Sequence, residues 1–260
     1  MTDTVGLQRS SNHLYRWGDG PWLPGVTSVI KKVDKSEVLI RWAKGITADA
    51  ALADLPTLTA MVAEKGEAVA KAYLTAHATG INDAAKNLGT RIHSAAEAVA
   101  RGEDPGVAPE HLLYLDAYRR FLADWQPEFK SLEHYVANLT QGYGGTFDFI
   151  ANLDGKMTLG DLKTGKAHYI ETRLQLSALG HAEFLGIPGD PRQYPLPAFE
   201  QYVVLHVRPE AYERGYQLYR VDLTSADWEA FLGALAIYRW DRQRPSKGDP
   251  LHAVRKEVAA

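Results

Sequence analysis

Three consecutive residues, Asp161-Leu162-Lys163, have the types and order that phosphate chemistry needs. They end an apolar run that reads as a strand, residues 156–163, leading into Thr164-Gly165-Lys166. Side chains alternate along a strand, so Asp161 and Lys163 share one face while Leu162 points into the core and leaves its carbonyl edge available. Asp148 sits between Phe147 and Phe149 on the preceding run, residues 143–153, and Asn152-Leu153-Asp154-Gly155 is a hairpin turn joining the two runs. The hairpin brings Asp148 towards Asp161. Two carboxylates in an apolar layer repel, and need a cation or a shared proton. A divalent ion with oxygen ligands, Mg²⁺ above all, answers that need. The Lys163 ammonium then suits a phosphate oxygen or an attacking water. An Asp-x-Lys triplet alone equally suits an ordinary same-face ion pair on an exposed strand.

Around these residues the chain changes texture. Residues 1–30 are turn-rich, with Gly18-Asp19-Gly20-Pro21 and Pro24-Gly25. A helix starts near Ser36, where Val38, Leu39, Trp42 and Ile46 share a face. Alanine-rich helices are expected over 57–78 and 82–101, the latter capped by Asn82 or Asp83, and another over 110–125. Strands are expected over 131–139, 143–153 and 156–163, then a helix over 171–185. Strands over 201–207 and 216–223 follow, with a last helix over 225–240 capped by Thr224 or Ser225. The expectation is a single α/β domain over 1–260, with a helical N-terminal lobe (about 36–126) and a sheet core (about 131–240).

Composition narrows the classes. Of 260 residues, 45% are hydrophobic and 23% charged, which excludes a disordered or collagen-like chain. The net charge of −3 excludes a polybasic protein, so any nucleic acid must be held by a local basic groove. Residues 1–45 supply one, at net +3, with Arg9, Arg16, Lys31, Lys32, Lys35, Arg41 and Lys44 interleaved with Tyr15, Trp17 and Trp22, aromatics able to stack on bases. Residues 239–256 are net +4. Thr164 and Lys166 are placed to meet a phosphate at the strand end. With no cysteine, disulfides, cysteine nucleophiles and iron–sulfur clusters are excluded. No apolar run is long enough for a membrane span and no secretory signal is apparent, so a cytoplasmic setting is expected.

The ordered set Gly144-Gly145-Thr146-Phe147-Asp148, Asp161-Leu162-Lys163-Thr164-Gly165 and Gln175 resembles the RecB-like branch of the PD-(D/E)XK nuclease superfamily. Upstream, Gly89-Thr90-Arg91-Ile92-His93 matches that family's Gly-x-x-x-His helix. Pro24-Gly25-Val26-Thr27-Ser28-Val29-Ile30, with Lys35 and residues 39–43, is similar to the N-terminal segment of phage-type exonucleases of this branch. The likeness covers residues 24–185. It implies a mixed central sheet flanked by helices. It also implies a metal held by His93, Asp148, Asp161 and the Leu162 carbonyl, with Lys163 activating the water and Gln175 assisting. Nitrogen ligation by His93 suits Mn²⁺ better than Mg²⁺.

Glu97, one turn beyond His93, is a candidate to orient that imidazole, and Glu133 to support the site from the first strand. The family's tyrosine four residues after the glutamine is replaced by Leu179, with Tyr169 and His181 nearby as substitutes. The implied activity is a metal-dependent DNA nuclease, most simply an exonuclease acting with metal-activated water in phage-type recombination, replication or repair. DNA is the expected partner, alongside phage recombination or replication proteins; no segment signals an oligomeric state. The alternatives are an endonuclease on the same scaffold, a non-catalytic DNA-binding module, and an adaptor domain.

Overall fold

A computed structural model describes residues 6–33, 36–165 and 171–243, without the side chains of 36–39, 78 and 82. The chain opens with short strands β1 (Leu7–Arg9), β2 (Leu14–Trp17) and β3 (Leu23–Pro24), which form a small antiparallel sheet. A one-turn helix, α1 (Val26–Ile30), follows and buries Val26, Val29 and Ile30. Then come α2 (Ser36–Ala53), α3 (Leu55–Lys65) and the long α4 (Glu67–Ala100). The break between the alanine-rich helices falls at Gly66, not near Asn82. Gly66 has φ +86°, which glycine adopts without strain, whereas Gly80 and Asp83 lie inside α4 and cap nothing. α2 and α3 both pack on α4. After a short 3₁₀ turn, α5 (Leu112–Trp125) buries Leu115, Ala117, Tyr118 and Phe121.

The remaining elements are β4 (Glu128–Leu132), β5 (Tyr135–Asn138), β6 (Tyr143–Thr146), β7 (Phe149–Leu153), β8 (Lys156–Lys163), α6 (Glu171–Gly180), β9 (Phe184–Gly186), β10 (Gln201–Val207), β11 (Tyr216–Arg220) and α7 (Ser225–Gln243). The central sheet is mixed, in the order β11-β10-β8-β7-β4, with β8 and β10 parallel and the other pairs antiparallel. Helices flank it. On one face Ile150, Leu159 and Val204 pack with Leu176 and Leu179 of α6, Phe231 and Leu235 of α7, and α1. On the other, Phe149, Ala151, Leu162, Val203 and Leu205 pack with Tyr118 and Phe121 of α5 and Ala96 of α4. The alternation predicted for β8 is therefore present: Leu162 enters one core while Asp161, in register with Val204, belongs to the opposite face.

Two expected strands are each broken in the middle. The run 131–139 divides into β4 and β5, and the run 143–153 into β6 and β7, at facing positions. The arms stay paired across the break: Glu133 N–H donates to Asp148 O at 3.0 Å and β5 continues against β6. Past it, however, they join a second sheet, β6-β5-β9. Glu133 takes φ +51° to turn the corner. Asp148 is thus at a bend rather than within a strand.

The helix expected over 171–185 ends at Gly180, because residues 184–186 pair with β5 as β9. The turn between β7 and β8 is the expected one, with Asp154 and Gly155 both at positive φ. Thr224 caps α7, its N–H donating to Asp227 Oδ2 at 2.7 Å in half of a capping box.

Candidate active site

The bend puts Glu133 and Asp148 side by side at the junction of the two sheets, and the C-terminal half of α4 lays His93 against them. One nitrogen of His93 and one carboxylate oxygen each of Glu133 and Asp148 all lie within 4.8 Å of one another. His93 Nδ1 is 3.3 Å from Asp148 Oδ1 and 4.0 Å from Glu133 Oε1. The other carboxylate oxygen of Asp148 accepts the Leu162 N–H at 2.5 Å, which fixes Asp148 to β8.

Asp161 is 2% exposed. Its Oδ1 accepts from Gln175 Nε2 at 2.8 Å, and its Oδ2 has Lys163 Nζ at 2.6 Å. Lys163 Nζ also donates to Gln175 Oε1 at 3.2 Å. One amide side chain from α6 therefore clamps both members of the Asp161–Lys163 pair. The donor N–H₂ faces the carboxylate and the acceptor oxygen faces the ammonium.

The charges respond to this crowding. Burial works against the His93 cation, but the charge and hydrogen bond of Asp148, with Asp161 beyond, outweigh it and hold the imidazole at about 9. Burial and the Asp148 charge together push the Glu133 carboxyl up to about 8. Asp148, despite burial, is held below its usual range by His93, Lys163 and the Leu162 N–H. Asp161 is raised by burial, with Asp148 adding to it and Lys163 opposing. Lys163 is raised in spite of burial, by Asp161 and then Asp148, so it is a cation at neutral pH. Without a metal the cluster thus holds protons at His93 and Glu133, where positive charge is needed.

The cluster forms one end of an open cleft of about 540 Å³. α4 (Gly89, Thr90, His93) makes one wall, and α1 with the β1–β2 hairpin (Thr27, Ser28, Arg9) the other. A small cavity of about 20 Å³ lies beneath the cluster, between His93, Tyr118, Asp148 and Leu162. An imidazole nitrogen, carboxylate oxygens and a void of one small ion's size fit a divalent cation. The residues at ligand distance from one another are His93, Glu133 and Asp148. Glu133, expected only in support, lies among the donors. Asp161, expected as a ligand, is turned to Lys163 and Gln175.

Of the other expected residues, Glu97 lines the cleft but is paired with Arg101 at 2.6 Å rather than with His93. Lys31 is exposed and lines the cleft. Lys32, expected to meet DNA, pairs with Asp241 of α7 at 2.5 Å, with Tyr238 beside it. Arg41 is exposed on α2 and is not part of the cleft lining. Thr164 stands opposite α4, since a Cβ on Gly89 would lie 3.5 Å from its Oγ1.

Lys35, Lys166 and Tyr169 fall outside the described residues. Tyr15 and Trp17, read as base-stacking aromatics, are packing residues. The Tyr15 hydroxyl bonds Thr146 at 2.8 Å, and Trp17 packs edge-on against Phe184. Trp22 is 44% exposed with Arg16 over its ring. Leu179 is core, and His181 stacks on Trp228, so neither supplies the missing tyrosine.

No protein-family model matches the sequence, and no curated protein does. Solved structures share part of its outline. An alkaline exonuclease (LHK-Exo) from Laribacter hongkongensis aligns with 55% of this chain and 72% of its own, at 12% identity and a TM-score of 0.35. The same exonuclease in complex with dAMP aligns with 58% of this chain and 76% of its own, at 12% identity and TM-score 0.31. SSO0001 aligns with 53% of this chain and 63% of its own, at 17% identity and TM-score 0.30. At these scores the likeness is one of partial outline.

Proposed function

We propose that this chain is a divalent-metal-dependent DNA nuclease with a PD-(D/E)XK core, and that it acts as an exonuclease. One observation carries the reading. A pair of buried Asp161 and half-buried Lys163, clamped by Gln175, adjoins three converging donors, His93, Glu133 and Asp148, at the end of an open cleft.

A structural ion pair needs none of this. Drawing two aspartates and a lysine together, one aspartate fully buried and the other two groups partly so, costs more than an apolar replacement, which is why such groups mark function. His93, Glu133 and Asp148 are the residues that would hold the cation, with Asp161 and the Leu162 carbonyl as further donors from β8. Bound there, Mg²⁺ or Mn²⁺ supplies Lewis acidity to a phosphodiester and to water.

The chain's own residues do the rest. Lys163, kept cationic by Asp161, presents a fixed positive charge where negative charge develops on the phosphoryl oxygens. Gln175 holds that ammonium and its carboxylate in one geometry, so neither must reorganise during the reaction. The mixed sheet provides rigid strands for Asp161 and Lys163. Lys31 and Arg9 on the far wall offer charge to the nucleic-acid backbone. A phage-type recombination, replication or repair setting rests on the resemblance of residues 24–30, and the cytoplasm is the matching compartment.

The test is hydrolysis of linear and of closed circular duplex DNA with Mg²⁺ or Mn²⁺. Linear DNA is degraded and closed circles stay intact; nicking of the circles would make the enzyme an endonuclease. Full activity in Asp161→Ala or Lys163→Ala would refute the assignment.

A further inference from the structure

The parallel ladder between β8 and β10 ends at the pair His206↔Lys163. Lys163 is therefore the last backbone-paired residue of its strand, in the place where strands fray. The His206 side chain carries the connection further. It is 2% exposed and, in register with Lys163, on the same face of the sheet.

Its Nε2 is 2.7 Å from the carbonyl oxygen of Gly165, two residues beyond Lys163. A carbonyl only accepts, so Nε2 carries the proton. In the neutral ring Nδ1 then accepts, from the Tyr212 hydroxyl at 2.7 Å. Tyr212, having donated, accepts from the Tyr219 hydroxyl at 3.0 Å. The hydrogen bonds thus run in one direction, from Tyr219 through Tyr212 and His206 to Gly165, and they select the tautomer that grips the chain. Thr164, between the two tied residues, faces Gly89 across the cleft end.

We infer that His206, oriented by Tyr212 and Tyr219, is a positioning residue that fastens the exit of β8 and thereby keeps Lys163 aligned with Asp161. It touches none of the reacting groups. The inference rests on the nuclease reading for its kinetic consequence, but the fastening itself is measurable without any substrate.

The test compares the full-length wild type with His206→Leu, His206→Gln and Tyr212→Phe. Amide hydrogen exchange is read at Lys163 and Thr164, where the ladder with β10 ends, kcat and KM are measured on linear duplex DNA with Mn²⁺, and the fraction of intact sites is counted by Mn²⁺ titration. In His206→Leu, exchange at the end of β8 speeds up about tenfold and kcat per intact site falls about tenfold, with KM within about twofold. His206→Gln keeps an N–H donor for the same carbonyl and restores kcat to within about threefold of wild type.

A purely structural role would instead lower the intact fraction, leave kcat per intact site unchanged and give glutamine no advantage over leucine. That result overturns the inference. Should His206→Leu fail to fold, Tyr212→Phe takes its place: faster exchange at Lys163 and Thr164 supports the inference, and wild-type exchange overturns it. If the wild type hydrolyses no DNA while the exchange differences appear, the nuclease reading falls and the fastening stands.

Discussion

Loading the His93–Glu133–Asp148 cluster with Mn²⁺ should expel protons, because protons hold the place of the ion. In the metal-free protein His93 titrates at about 9 and Glu133 at about 8, while Asp148 is already ionised. At pH 7 both of the first two carry a proton. A ligand set for a divalent cation needs a neutral imidazole and an ionised carboxylate, so binding releases about two protons at that pH. Linkage then makes the apparent affinity rise by about two powers of ten per pH unit up to pH 8, by about one up to pH 9, and level off beyond.

Titration calorimetry of Mn²⁺ in buffers of different ionisation enthalpy, such as PIPES and Tris, reads the number directly as the slope of heat against buffer enthalpy. Glu133→Gln lowers the slope by about one proton at pH 7. Saturable binding with a slope near zero would refute the reasoning, as would a slope that Glu133→Gln leaves unchanged. Either would place the ion away from this cluster.

The same groups set the pH dependence of stability without metal. Both have folded values above their ordinary ones of 6.5 and 4.5, so their contribution is complete below those and is lost as pH rises through about 8 and 9. Thermal unfolding in EDTA should show a falling midpoint, most steeply between about pH 6.5 and 8, and saturating Mn²⁺ should remove that fall. Lys163→Met should reduce kcat by about 10²–10³-fold while Mn²⁺ binding persists, if the ammonium serves the charge that develops in the proposed reaction; equal loss of both would tie Lys163 to the fold instead. Gly160→Ala should destabilise the chain by about 1–3 kcal/mol in urea unfolding, because the new Cβ would meet the Phe149 ring at 1.9 Å.

The sequence made β8 legible because a run of strand length ends in Asp161-Leu162-Lys163, whose two charged residues share a face on either side of Leu162, and the two-residue turn at Asp154-Gly155 fixed its partner. Gln175 was visible through a resemblance, yet its double hydrogen bond to Asp161 and Lys163 joins α6 to β8 through tertiary packing, which spacing does not encode. The position of Glu133 beside His93 and Asp148 was not legible because the run 131–139 reads as unbroken strand. Nothing local announces a glutamate at positive φ, since the corner is imposed by the partner arm and by β9. The pairing of β9 likewise cut short a helix whose apolar pattern continues to Leu185. Gly66 held the one strong signal for the break before α4, but the polar residues at 82–83 drew the cap to the wrong place. Lys32 shows the limit of counting charges: its partner, Asp241, lies 209 residues away.

The corner at Glu133 and Asp148 also determines how the molecule tolerates change. Each arm of the long hairpin is gripped by both sheets, one on either side of the corner, and the two carboxylates stand where the grips meet. The loop tips at 139–142 and 154–155 are remote from that crossing, so lengthening them leaves the carboxylates undisturbed. A change in the angle between the two sheets, by contrast, acts at the corner where Glu133 and Asp148 sit. A cation held by both carboxylates would act as a rivet at that corner, and the stiffness of the bend would then depend on its occupant.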